Sequence, residues 1–200
     1  MGKTIWDRFA PVYSLAMKSQ KNIYDYMYNH IADAVKGKSV LELATGPGLI
    51  AKKIAWSAER IVATDFSPQM IEQAKKGQIP SNVVFEIADA SDLQYEDNFF
   101  DAVIIANALH VVPNPEKVLS EIDRVLVNGG LLICPTFIHR SAEKKENLWA
   151  KILKLVGIKF AHQWTADEFT NFMENNGWKI TAGEVVPGRI DLFYAECVRK

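Results

Sequence analysis

A chain of 200 residues with 23 basic and 24 acidic side chains carries a net charge of -1 and a pI near 6.4, which excludes the broad cationic surface that holds nucleic acid through its phosphates. Its apolar share of 48% and charged share of 24% are those of a soluble globular protein, of a size that suits one domain with one core. Electrostatics selects no partner beyond that.

The first 38 residues read as helical, with Ile23, Met27 and Ile31 on one face and Val35 beside them. The opening MGKTIWDRFA has no apolar signal-peptide core, and Trp6 breaks the myristoylation pattern. From residue 39 onward strands and helices alternate. SVLELA (39–44) is a buried strand, followed by a helix over 48–56. RIVATDF (60–66) is the second strand, and Ser67 with Pro68 opens the next helix as N-cap and first helical residue. NVVFEIAD (82–89) is the third strand, and FFDAVIIANAL (99–109) contains the fourth. Asn114 and Pro115 start the helix PEKVLSEIDRVL, which the NGG of 128–130 stops. LLICPTF (131–137) is the fifth strand.

Residues 138–164 are helical in pattern. Within them, EKKENLWAKILKLV (143–156) has a broad apolar face and a basic remainder of Lys144, Lys145, Lys151 and Lys154. Such a helix can cover a sheet, close over a substrate or lie on an anionic membrane, so peripheral membrane contact stays open. Thr165 and Glu168 form a capping box for a helix that ends at Gly177. WKITAGEVV, a PG turn and IDLFYAECVRK then read as an antiparallel hairpin. The expected fold is α/β: a Rossmann-like, doubly wound, seven-stranded, mostly parallel sheet with one antiparallel strand and helices on both faces. As one domain it divides into a helical lid (1–38), a ligand-binding core (39–137), a helical insertion or lid (138–164) and the C-terminal helix and hairpin (165–200).

Cys134 and Cys197 form no CxxC pair, and His30, His110, His139 and His162 have no metal-ligand spacing. No apolar run approaches membrane-span length. These signs predict a cytoplasmic protein without a metal.

LELATGPGLIAKKIA (41–55) is a strand, a glycine turn and a helix start, the usual cradle of a small charged ligand. GPGLIA fits the loose GxGxxA pattern of a dinucleotide site, so a nicotinamide cofactor is one reading. Against it, Glu42 lies four residues before Gly46, where such a turn gains little from a carboxylate, and there is no Tyr-x-x-x-Lys pair. Asp65 ends the second strand, within reach of ribose hydroxyls under either reading. Asp89 ends the third, where a side chain could meet an adenine edge. Each acid also has a plain structural role open to it, as a helix cap or a turn former.

The stretches VLELATGPGLIA, VATDFSPQMIEQA, IADASDL, FDAVIIANALHVVPNPEKVLSEIDRVL and NGGLLICPTF together resemble class I S-adenosylmethionine-dependent methyltransferases. The chain is most similar to the small-molecule group that includes the ubiquinone/menaquinone-biosynthesis methyltransferases. WDRFAPVYS also resembles an aromatic-Asp-x-x-Ala-x-x-Tyr segment that precedes the core in many relatives. The resemblance implies S-adenosylmethionine as cofactor, with S-adenosylhomocysteine as product. It sets Glu42 and the backbone from Ala44 through Gly46 to Gly48 at the methionine portion. It sets Asp65 at the ribose, Phe66 and Met70 near the adenine, Asp89 and Ala90 at its amino group, and Asn107 and Ala108 near the sulfonium. Ala44 stands where the family usually has its first glycine, a replacement that is comfortable if φ there is negative.

His110 is the candidate base by position, and Tyr13 a candidate lid or site residue; core packing is the alternative for both. The implied acceptor is a small, partly apolar or aromatic molecule. Binding of an adenosine derivative without turnover remains the alternative function, and oligomeric state is not legible.

Overall fold

The computed structural model describes residues 21–139 and 162–200. Tyr13 and most of the insertion expected over 138–164 lie outside them. Five strands run parallel in the order β3-β2-β1-β4-β5: β1 is Ser39–Leu43, β2 Arg60–Asp65, β3 Val83–Ile87, β4 Phe100–Ile105 and β5 Leu126–Ile133. β8 (Asp191–Arg199) lies antiparallel to β5, and both β6 (Thr136–Ile138) and β7 (Trp178–Val186) pair antiparallel with β8. β6 and β7 therefore run in the direction of β5, and the mostly parallel sheet with one reversed strand, β8, is the architecture expected from the alternation of elements.

The helices are α1 (Lys21–Ala34), α2 (Leu49–Ile54), α3 (Pro68–Ala74), α4 (Pro115–Val125) and α5 (Ala166–Asn175). Alternate strand residues face opposite layers. Val40, Ile61, Ala63 and Ile104 join one core with α1, α2 and α3. Leu41, Leu43, Val103 and Ile105 join the other with Val118, Leu119 and Ile122 of α4 and Phe169 and Met173 of α5. The sheet is therefore covered on both faces. Among the described residues no helix is long and apolar enough to cross a membrane.

Local signals explain most helix starts. Ser67 accepts the Met70 amide with Pro68 in the first turn, and Asn114 accepts the Lys117 amide ahead of Pro115. Thr165 and Glu168 exchange both hydrogen bonds of the capping box. In α1, Ile23, Met27 and Ile31 are buried on one stripe as their spacing predicts.

Two boundaries differ from the sequence reading. α4 stops at Val125 and passes straight into β5, so the NGG is not its terminator. Instead, β5 pairs Leu126 with Phe100 and then Leu131 with Ala102, and the Asn128–Gly130 stretch bulges out between them, with Gly129 at φ +75°. The run 131–137 is also not one strand. β5 ends at Ile133, and after Cys134 and Pro135 the chain re-enters the sheet as β6 on β8, which adds a short strand to the seven expected. Proline lacks the amide needed to continue a ladder, which accounts for the break.

Candidate cofactor site

β1 and β4 are neighbours, but α2 after β1 packs on one face and α4 after β4 on the other. This divergence opens a crevice beyond the carboxyl ends of the two strands, the place where open α/β sheets hold ligands. Leu43 pairs with Ile105, so the chain segments beginning at Ala44 and Ala106 leave the sheet side by side. Between them lies a shallow, solvent-open cleft lined by Tyr24, Glu42, Ala44, Thr45, Pro47 and Asn107, with Leu49, Ile50 and Ala106.

Every residue of β1 is buried, including Glu42 at 1% exposure. Its Oε2 has no hydrogen-bond partner. Burial pushes this carboxyl up to about 8 and Asp65 adds to the rise, outweighing the Thr45 hydroxyl and the Ala51 amide, which lower it. A buried carboxyl with an unpaired oxygen carries a cost that a ligand group can remove. Asn107 presents the matching case from β4: its buried Oδ1 is also unpartnered. Its backbone has φ +53°, and its amide is tied to the Pro135 carbonyl at 2.8 Å.

The turn itself is built on left-handed backbone at Ala44 (φ +53°), Gly46 (φ +56°) and Gly48 (φ +74°). The negative φ under which an alanine would be comfortable at position 44 is therefore not met. An alanine there bears a left-handed strain of about 1–2 kcal/mol, of the kind found where surrounding structure overrides local preference. Gly48 has a second constraint, because a Cβ built on it would lie 2.6 Å from the Phe85 ring and 3.1 Å from Ala74 Cβ. The bare backbone is what lets the turn sit down on β3 and α3.

Asp65 ties this turn to the end of β2: Oδ2 accepts the Gly46 amide at 2.8 Å and Oδ1 the Ser67 amide at 2.9 Å. A carboxylate oxygen can accept two hydrogen bonds, so ligand hydroxyls are chemically compatible with these bonds. Further along the same edge, Phe66 is 55% exposed while Met70 is buried. Asp89 is exposed, and its Oδ1 accepts both the amide and the hydroxyl of Ser91 at 2.8 Å, the turn-forming arrangement. Ala90 packs against the α4-side core. Ala108 is buried in that same core, and its carbonyl accepts the Val111 and Val112 amides. The cleft thus gathers Glu42, Ala44 and Asn107 directly and Gly46, Gly48 and Asp65 through the turn, but not the side chain of Ala108.

Tyr24 and Thr45 line the cleft without having been singled out from sequence. Tyr24 adjoins the apolar stripe of α1, and its neighbour Ile23 carried the only signal there.

His110 lies past Asn107 at 4% exposure. Burial first, then the nearby charges of His139 and His162, push it down to about 4, so it is neutral at neutral pH. Its carbonyl accepts the His162 amide at 3.1 Å, and the His162 ring stacks on Trp164, which stacks on Phe172. Three histidines with no close spacing in sequence therefore converge. Among the described residues, no group of three His, Cys, Asp or Glu side chains could hold a metal ion.

Residues 41–134 match the profile of the methyltransferase domain family. The chain carries a methyltransferase domain. It is similar to a demethylmenaquinone methyltransferase of Paenarthrobacter aurescens, 31% identical over 75% of this chain and 60% of that one. It is also similar to the ubiquinone/menaquinone biosynthesis C-methyltransferase UbiE of Desulfotalea psychrophila, 35% identical over 65% of this chain and 55% of that one. These matches span 42–60% of the length of the first four curated relatives. Among solved structures, the DhpI–S-adenosylhomocysteine complex superposes with a TM-score of 0.73 at 22% identity, over 97% of this chain and 93% of that one. The fold of this methyltransferase domain is the Rossmann-like one expected from sequence, and its matched segment contains the glycine turn, both strand-end acids and His110.

Proposed function

We propose that the protein transfers a methyl group from S-adenosylmethionine to a small, partly apolar or aromatic acceptor of quinone-precursor type, and not to nucleic acid. The observation that carries this reading is the pair of buried, unpartnered acceptors, Glu42 Oε2 and Asn107 Oδ1, facing one cleft at the switch point of the sheet. A cationic or N–H-bearing ligand group satisfies both, and the relatives' names supply the reaction class. The residues fit the cofactor. Glu42, Asn107 and the Ala44–Gly48 backbone would hold its amino-acid end, Asp65 its ribose, and Phe66, Asp89 and Ala90 its base.

The cofactor supplies an activated methyl on a sulfonium, whose neutral thioether leaves without protonation. The chain's contribution is then alignment and exclusion of water, with the acceptor atom in line with the methyl. His110, neutral and on the acceptor side, can take a proton from an O–H, N–H or ring C–H acceptor. Its depressed basicity makes this a modest contribution beside positioning. The expected lids, residues 1–38 and 138–164 with Tyr13 among them, would close the apolar side, and the described part already brings Tyr24 of α1 to the cleft.

The test is calorimetric titration with S-adenosylmethionine against NADH, followed by methyl transfer to a demethylated naphthoquinone acceptor. Tight binding of the former together with turnover supports the reading. Binding without transfer to any quinone-type or phenolic acceptor refutes the acceptor assignment, and preference for NADH refutes the cofactor assignment.

A further inference from the structure

We propose that Glu42 is a proton-release site: the protein alone holds it as the neutral acid, and a cationic ligand headgroup entering the cleft expels that proton to solvent. This rests on the cofactor reading above, since S-adenosylmethionine brings two cationic centres, an ammonium and a sulfonium, into a cleft whose described lining supplies none.

Two groups beside Glu42, the Thr45 hydroxyl and the Ala51 amide, favour the carboxylate, but burial and Asp65 outweigh them. β2 contributes Asp65, a like charge, and Thr64, whose hydroxyl donates to the Glu42 backbone carbonyl and not to its carboxyl. α1 contributes the Tyr24 phenol, α2 the apolar Leu49 and Ile50, and the β4 side Ala106 and Asn107. No lysine, arginine or histidine is among the described residues lining the cleft. Lys52 of α2 turns away, donating to the Lys76 carbonyl and lying over the Phe85 ring, and Lys53 is exposed. Oε2 itself is buried with no hydrogen-bond partner among the described residues. A carboxyl in such surroundings keeps its proton well past the ordinary range, here up to about 8.

A cation placed within about 4–6 Å lowers a carboxylic acid by roughly one to three pH units. That carries Glu42 to neutrality or below, so the O–H bond breaks on binding, the proton passes to buffer, and the carboxylate remains paired with the ligand cation. Affinity then rises with pH, up to tenfold per unit between pH 6 and 7.5, because the binding-competent carboxylate becomes less costly to form.

Two measurements test this. In the free protein labelled with ¹³C at glutamate carboxyls, one resonance should titrate near pH 8 and be missing in Glu42→Gln. If every glutamate ionises in the usual range, the proposal is overturned whatever the cofactor does. Calorimetry with S-adenosylmethionine at pH 7 in phosphate and in Tris should give roughly 0.4–0.9 proton released per cofactor bound by the wild type, and none with Glu42→Gln. Binding heats independent of buffer overturn proton release while leaving the cofactor reading intact. No binding in any buffer overturns both, even where the carboxyl resonance behaves as expected.

Discussion

Replacing Gly48 with alanine tests the idea that the turn is glycine because of where it sits. Two separate costs add at this position. The left-handed backbone, φ +74°, charges any residue with a Cβ about 1–2 kcal/mol. The new methyl would also lie 2.6 Å from the Phe85 ring and 3.1 Å from Ala74 Cβ. Both neighbours are buried in the α1-side core, so the ring has little room to yield, and overpacking of this kind costs about 1–3 kcal/mol. Together these give about 2–5 kcal/mol, or a fall in Tm of roughly 5–20 °C for a domain of this size.

Gly37 provides the control, because it also has a positive φ (+68°) but nothing within 4 Å of its would-be Cβ. Gly37→Ala should lose only the strain, about 1–2 kcal/mol. Urea denaturation of both variants measures the difference directly. Adding Phe85→Leu to Gly48→Ala should cost less than the sum of the two single changes, since the smaller side chain vacates the contact. Equal destabilisation of the Gly48 and Gly37 variants, with additive behaviour at Phe85, would show that the turn does not rest on β3 as described.

Asp65→Ala removes the acceptor of both the Gly46 and Ser67 amides and should weaken S-adenosylmethionine binding at least tenfold by calorimetry; unchanged affinity would confine Asp65 to a structural role. Arg124 donates to the Leu93 and Tyr95 carbonyls and to Asp97 and Glu121, pinning the β3–β4 connection to α4. Arg124→Ala should cost about 1–3 kcal/mol and speed amide exchange over residues 91–98; unaltered exchange there refutes the pinning. His110 titrates near 4 when folded and near 6.5 when unfolded, so the unfolded chain binds more protons between these values. Its contribution is complete above pH 6.5 and is lost as pH falls toward 4, by up to about 3 kcal/mol. His110→Asn should flatten the dependence of Tm on pH in that window, and an unchanged slope would mean that the histidine is not held neutral.

The architecture was legible in the sequence because its determinants are local. Buried strands such as SVLEL, the caps Ser67, Asn114 and Thr165, and the prolines that follow two of them act through their nearest neighbours. The glycine turn with Glu42, Asp65 and Asp89 was legible for a related reason: in a parallel sheet each strand end delivers its residue to the same edge, so order along the chain predicts proximity in space.

Other features depended on packing between distant segments. The left-handed Ala44 follows from the path the turn must take onto α2 and β2, and no local preference for alanine announces it. The unpartnered oxygens of Glu42 and Asn107 exist only because β1 and β4 are adjacent and their helices leave by opposite faces. The approach of His110, His139 and His162 is likewise tertiary, as is the 3.7 Å separation of the Cys134 and Cys197 sulfurs, which their 63-residue spacing conceals. Residue type and spacing encode what one segment requires of its own backbone. Desolvation, unmet hydrogen bonds and close backbone approach arise from what other segments place around it, and only the folded arrangement decides them.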